Sequence, residues 1–519
     1  MLNLLLSESS SPMLRNCFTL LTISASLCSF LSAAELQLAG IFTDHMVLQR
    51  QQPVAIWGAA AAGHTVHVRI GEQTVSATAA ANGAWRATLQ PMPASAIPAT
   101  LTVSDPAASA TVTVSDVLVG EVWLGSGQSN MAMQVRRVLN PEQEAAASDL
   151  PTIRLFTEGS TAADSPETTP RGSWQVCTPD SASAFSATLF FFGRELHAAL
   201  DVPVGLINSS VGGTPIESWI SADAQLSTPE LADHSRELLQ AYHDYDEAAA
   251  TAAFERQLRR YEDRVKAGET GLRRPRNPLD TRRRRGAPGW LFNGKISPLI
   301  PFTLRGVVWY QGENNANSEH PELYRHQLPA LISDWRTRWN AELPFAWVQL
   351  PNYTADDAGW TEVRDGMLQT LSVPATGMAI TIDIGEAGDI HPKNKQDVGK
   401  RLSLWALADV YDHPVPAASG PLPAAYDFAG RSVTVTFRHS ARGLQSADQQ
   451  SLRGFELLDS DGNWHPAAAT PAADRVVVAA DAVPTPLGIR YAWAALPAAN
   501  LQNSAGLPAT PFRHLLKQN

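Results

Sequence analysis

The spacing of apolar and polar positions divides the chain into three stretches of different period. Over residues 35–115, short runs such as VAIWG, TVHVRIG, TVSATA and AWRATLQP alternate or cluster β-branched residues between Gly, Pro, Asn and Asp. That period of two belongs to strands with one buried face, so the stretch predicts a small β-sandwich. From residue 116 the pattern changes. Continuous apolar runs at 117–124, 202–208, 304–310, 345–350 and 378–384 alternate with segments whose apolar residues recur near i, i+3 and i+4, at 187–200, 328–339, 362–371 and 395–411. Strands apolar on both faces and alternating with helices predict an α/β domain over 116–412, its parallel sheet covered on both sides. After residue 413 the runs SVTVTF, GFELLDSDGNW, RVVVAA and GIRYAWA return to strand periodicity and predict a second β module over 413–519.

Two stretches fall outside this scheme. Residues 226–289 interrupt the alternation: 230–266 is rich in Ala, Leu, Glu and Arg and reads as helical, while Arg273, Arg274, Arg276 and the arginines at 282–285 lie among prolines in an irregular basic loop. A nucleic-acid patch would interleave aromatic residues with the basic ones, which this run barely does, so the segment is read as a solvated insertion. At the start, Met13-Leu-Arg-Asn leads into an apolar stretch at 17–31 that ends in Ser32-Ala33-Ala34. This is the layout of a secretory signal, with cleavage expected after Ala34 and a periplasmic or secreted product. The run is too short for a membrane anchor, and no later segment is expected to span a bilayer.

Composition narrows the class further. Of 519 residues 44% are hydrophobic and 18% charged, which fits a large globular protein. Lys+Arg 40 against Asp+Glu 51 gives a net charge of −11, so no overall basic field would attract nucleic acid. Two of the three cysteines, Cys17 and Cys28, lie in the leader, and Cys177 alone forms no internal disulfide.

Ligands of open α/β sheets gather at the carboxyl ends of the strands. Four polar, glycine-rich stretches follow the predicted strands: GSGQSN, SSVGGT, QGENNA and GEAGDIHPKNK. In the first, Ser129 stands at a strand-to-loop corner and is the candidate nucleophile. A serine needs a base within hydrogen-bond reach and donors aimed at the oxyanion. His391 is the candidate base because it follows a buried strand in a loop just before a helix. Asp389 is the candidate acid on the far ring nitrogen, with Asp383 and Glu386 also close in sequence. The backbone N–H groups of Ser129 and of Gly213, preferred over Gly212 in the same turn, are candidate oxyanion donors, and Gln311 is the candidate third, with Asn314 as its rival. No metal or cofactor is implied. His45 fits a structural role, the DSDGN stretch at 459–463 fits an Asp-Gly hairpin better than a calcium loop, and Trp123, Trp219, Trp309 and Trp360 suit sugar stacking or core packing equally.

The stretches GEVWLGSGQSNM, GLINSSVGGTPIESWI, LFNGKISPLIPFTLRGVVWYQGENNA, DIHPKNKQDVGKRL and IRYAWAALPAANLQNSAGLPATPFR, in that order, resemble the sialate O-acetylesterase-like family of SGNH hydrolases. The resemblance covers nearly the whole chain after the leader. It implies a flavodoxin-like esterase domain with accessory β modules, no metal, and removal of acetyl groups from carbohydrate hydroxyls. By the same resemblance the nucleophile falls on Ser129, the base on His391 and the oxyanion donors on Gly213 and Gln311. The superfamily's acid position, three residues before the histidine, is here Gly388, and Asp389 stands one residue later. The resemblance leaves sialic acids and acetylated hemicelluloses such as xylan and xyloglucan as substrates, and the net charge of −11 favours the neutral hemicellulose. A non-catalytic glycan-binding protein is the contrasting reading, and a lipase or peptidase using the same chemistry is a third.

Overall fold

The computed structural model describes residues 35–275, 277 and 287–516; the expected signal segment 1–34 and the arginines at 276 and 282–285 lie outside the described residues. Seven strands form the sheet on which the candidate site stands: β1 (Ala110–Gly127), β2 (Leu150–Thr157), β3 (Trp174–Cys177), β4 (Val204–Ser210), β5 (Gly306–Tyr310), β6 (Phe345–Val348) and β7 (Thr376–Ala379). Their spatial order is β3-β2-β4-β1-β5-β6-β7, and every neighbouring pair is parallel except β3 against β2. The winding reverses at β1, which leaves a crevice at its carboxyl end. Ser129 follows that end by two residues.

Helices cover both faces: α1 (Ala187–Leu200) and α4 (Lys395–Trp405) on one, α2 (Tyr324–Trp339) and α3 (Asp357–Thr370) on the other. The period of two along the strands sorts the side chains. Val308, Tyr310, Ala346 and Val348 pack with Phe190, Phe192, Val398 and Leu402, while Val307, Trp309, Phe345 and Trp347 pack with Trp335, Val363 and Met367. Full burial of a Phe, Leu or Val contributes roughly 1.5–3 kcal/mol, so both layers hold the sheet firmly. Trp123, Trp219, Trp309 and Trp360 are each fully buried in these layers. They are core side chains and offer no face to a sugar.

The apolar pattern does not predict β2 or β3. β2 carries Arg154 in its middle, and this arginine is buried because its guanidinium donates to the Asp116 carboxylate at 2.6 and 3.2 Å, a partner that no local period reveals. β7 stops at Ala379, short of the expected 384. The Ile380 carbonyl is taken by Arg401 at 2.6 Å, and the Thr381 hydroxyl donates to the Gln349 carbonyl at 2.5 Å. The helix expected over 395–411 is α-helical to Trp405 and widens into a π turn over Ala406–Val410.

β1 is 18 residues long and serves two layers. Its first part pairs antiparallel with Ser95–Asp105 of the N-terminal β region, and its last part lies between β4 and β5. The strand therefore runs unbroken across 115/116, with Asp116 at φ +53° held by His45 at 2.6 Å as well as by Arg154. The C-terminal region forms three antiparallel sheets, in which Asp459 accepts the Asp461 and Asn463 N–H groups in the hairpin joining Phe455–Leu458 to Trp464–Pro466. Arg364 of α3 fastens this region to the α/β layers. Fully buried, it donates to the Leu350, Pro351, Ala494 and Ala495 carbonyls at 2.7–3.0 Å, and burial pulls its pKa down to about 9. In the interruption at 226–289, helix Pro229–His243 buries Leu231 and Ala232, whereas Glu247–Lys266 has no fully buried residue and half-buries Phe254, Leu258 and Tyr261 along one face.

Candidate active site

Three strand ends are stitched together where the polar stretches meet. Gly127 has φ +134°, and a Cβ there would sit 2.2 Å from the Tyr310 carbonyl oxygen, so a glycine is required for β1 to turn beside β5. The Gln128 N–H donates to that carbonyl at 2.9 Å, and the Val211 N–H donates to the Gly127 carbonyl at 3.0 Å. A one-turn helix, Ser129–Ala132, follows. Its Met131 and Ala132 N–H groups return to the Gln128 carbonyl, which leaves the Ser129 N–H at the head of the turn with no intrahelical acceptor.

His391 enters from the loop between β7 and α4, with Nε2 2.9 Å from Ser129 Oγ. Residues 262 apart in sequence thus meet at hydrogen-bonding distance. Asp389 lies on the other ring nitrogen at 3.7 Å, longer than a hydrogen bond, while its Oδ1 accepts the His391 backbone N–H at 2.9 Å. The rival carboxylates are engaged elsewhere: Asp383 binds Arg401 at 2.6 and 2.7 Å, and Glu386 accepts the Lys393 N–H at 2.8 Å. Burial lowers the His391 pKa below the ordinary imidazole value; Asp389 opposes this, and Lys395 and Arg137 reinforce it.

Facing Ser129 is the turn after β4. A Cβ on Gly212 would lie 3.4 Å from Ser129 Cβ, and Gly213 holds φ +73°, a conformation that glycine adopts without cost. Gln311, expected as the third donor, is turned inward instead. It is fully buried, its Nε2 donates to the Thr214 carbonyl at 3.2 Å and to Asn315 Oδ1 at 2.8 Å, and its Oε1 accepts the Tyr324 hydroxyl at 3.1 Å. Both amide hydrogens are committed, so none is left for an oxyanion. Asn314 stands at the surface of the same loop, half-buried, its Nδ2 donating once to the Gly213 carbonyl at 3.1 Å and its N–H to Gln128 Oε1 at 3.3 Å.

Sequence reasoning passes over three residues that border this constellation. Asn130 bridges Glu313 and Lys395, and all three are buried. Each sits inside a polar stretch already singled out, in GQSN, QGEN and HPKNK, but the sequence does not show that a Lys or Glu in such a loop points inward. Among the described residues, no group of three or more His, Cys, Asp or Glu is placed to hold a metal ion.

A family model described as carbohydrate esterase, sialic acid-specific acetylesterase, matches residues 294–406, which contain Gln311, Asn314 and His391. The chain is 30% identical over 525 residues to the sialate O-acetylesterase of Rattus norvegicus, covering 91% of this chain and 93% of that protein. It is likewise 30% identical to the protein of that name from Homo sapiens, covering 91% of each. Among solved structures it matches a carbohydrate acetylesterase from Xanthomonas citri with a TM-score of 0.78 and 32% identity, over 92% of this chain and 99% of that one.

Proposed function

The chain belongs to the sialate O-acetylesterase family of carboxylic ester hydrolases, and from that premise we propose that it removes acetyl groups from sugar hydroxyls by acyl transfer through Ser129. The observation that carries this reading is the 2.9 Å contact between Ser129 Oγ and His391 Nε2. Ser129 Oγ attacks the acetyl carbonyl carbon as His391 takes its proton. The oxyanion receives the N–H groups of Ser129 and Gly213 and the Asn314 amide. Collapse breaks the ester bond, and His391 returns the proton to the departing sugar oxygen. A water deprotonated by the same imidazole then attacks the acetyl-enzyme; the bond to Ser129 Oγ breaks as His391 returns the proton to it, and acetate leaves. Asp389 steadies the imidazolium from the Nδ1 side, its contact shortening from 3.7 Å as charge develops.

The SGNH class is supported by strand order: without β2 and β3, the sheet β4-β1-β5-β6-β7 reads 2-1-3-4-5, the flavodoxin-like arrangement. The reading includes export, from the leader at 1–34, and an esterase domain over 116–412 between two accessory β modules. Since burial depresses the His391 pKa, the imidazole stays neutral and able to act as base below its ordinary range. The acid limb of kcat/KM is accordingly expected below pH ~6.5, and a limb at pH 7 or above would contradict the environment described for His391.

Two sugar classes divide the substrate reading. Relatives named for sialate, and the exposed Arg136 and Arg137 shortly after the nucleophile turn, favour a carboxylate-bearing sialic acid. The net charge of −11 favours a neutral acetylated hemicellulose. Salt screens distant charges beyond about 8–10 Å, whereas Arg137 is near enough to depress the His391 pKa, so the sialate reading comes first. Acetate release from 9-O-acetyl sialic acid, acetylated xylan and acetylated xyloglucan, by wild type and Ser129→Ala in parallel, tests both levels. Release from the sialate that vanishes in the variant is the expected result. Release from xylan or xyloglucan alone selects hemicellulose, and release from none returns the chain to the glycan-binding reading.

A further inference from the structure

Behind the Ser129–His391 contact runs a buried polar chain that none of these proton transfers uses. Asn130, next to the nucleophile, donates its Nδ2 to Glu313 Oε1 and to the Ile390 carbonyl, the latter at 3.0 Å. Its Oδ1 accepts from Lys395 Nζ at 2.7 Å. The same ammonium donates to the Pro392 carbonyl at 2.7 Å and lies 5.2 Å from the centre of the Tyr310 ring. Asn130, Glu313 and Lys395 are each at most 1% exposed. The two carbonyls they hold, Ile390 and Pro392, flank His391 on either side. The turn after β1, the loop after β5 and the loop after β7 are thereby joined at one point.

Replacing buried charges by apolar side chains of similar volume is often neutral or stabilising, because desolvation offsets much of the attraction, so packing alone does not call for a lysine at this junction. What only an ammonium supplies here is a set of directed donors and a positive charge beside the imidazole. We propose that Lys395 is a positioning residue for the deacetylation: through Asn130 and the Pro392 carbonyl it fixes His391 against Ser129. The positive charge held there also favours the neutral imidazole that acts as base. The proposal rests on the acyl-transfer reading above. The groups facing His391 are Asp389, which favours the imidazolium, and Lys395 and Arg137, which disfavour it. Those facing Lys395 are Glu313, Glu386 and Asp389. Burial pulls the Lys395 ammonium down to about 7, so its charge is present over the lower pH range in which His391 takes up a proton. Burial also raises the Glu313 carboxyl, which leaves that charge incompletely balanced.

The test is kcat/KM against pH for p-nitrophenyl acetate hydrolysis by wild type, Lys395→Met and the double variant Lys395→Met/Glu313→Gln, with Ser129→Ala as control. Lys395→Met strands Glu313 in the interior, so a failure of that variant to fold is informative only beside the double variant, which removes both charges. In the folded variants the acid limb is expected to rise by about half to one pH unit, because a cation beside the imidazole has gone. kcat is expected to fall roughly 10–100-fold through loss of alignment, with KM little changed. An acid limb coincident with wild type overturns the proposal, as does a double variant that fails to fold, which would mark the residues as structural. Activity persisting in Ser129→Ala would sink the acyl-transfer reading itself, so the two failures are told apart.

Discussion

Ser129→Ala is expected to lower kcat/KM for acetyl esters by on the order of 10⁴–10⁶, and His391→Ala by a similar factor, with the double variant losing little more than either. In the proposed mechanism nucleophile and base act as one unit across their 2.9 Å contact, so removing the first leaves the second nothing to deprotonate. Substrate binding and the remaining oxyanion donors account for the residual rate. Neither substitution removes a fully buried side chain, since Ser129 and His391 are both half-buried at the crevice, so thermal unfolding should stay close to wild type. The measurement is steady-state hydrolysis by the three variants beside melting curves. Losses that multiply in the double variant would show two independent contributions and would break the proposed pairing.

How much of this was legible in the sequence follows from the range over which each signal acts. The strands that became β1, β4, β5 and β6 are continuous apolar runs, and α1 shows the 3.6-residue period; both signals are local. The polar stretches at the strand ends were equally readable, because a parallel sheet sends its loops to one edge. β2 was not, since its Arg154 is neutralised by Asp116 on a different strand. The tryptophans near the motif ends carried no signal that separates stacking from core; only the packing of both sheet faces decides it. The same limit applies to Lys395 and Glu313, whose burial depends on Asn130, far away along the chain.

The candidate acid shows a sharper limit. Asp383, Glu386 and Asp389 lie within seven residues of one another, and sequence distance ranks none of them decisively. Arg401, on α4, occupies Asp383, while the Lys393 N–H occupies Glu386. Asp389 then stands on the Nδ1 side of the ring. The partners that engage the other two carboxylates sit on the following helix and loop, which the local sequence does not reveal.

The loop after β5 sets two amides against each other, and the second large effect is expected there. Asn314→Ala should lower kcat by on the order of 10²–10³ with KM nearly unchanged, the signature of a donor that strengthens only as the oxyanion forms. Its Nδ2 has one bond, to the Gly213 carbonyl, and the side chain is half-buried beside the glycine turn, so the second amide hydrogen is available and stability should hardly change. Gln311→Ala should behave in the opposite way. Its amide bonds Thr214, Asn315 and Tyr324 in a fully buried site, and each buried group left unpaired costs roughly 1–3 kcal/mol. A lower melting temperature with kcat largely retained in the folded enzyme is the expected outcome. Should Gln311→Ala instead lose kcat by 10²-fold or more while Asn314→Ala does not, then Gln311 swings toward the substrate during turnover, and the donor assigned from sequence is the one that holds the oxyanion.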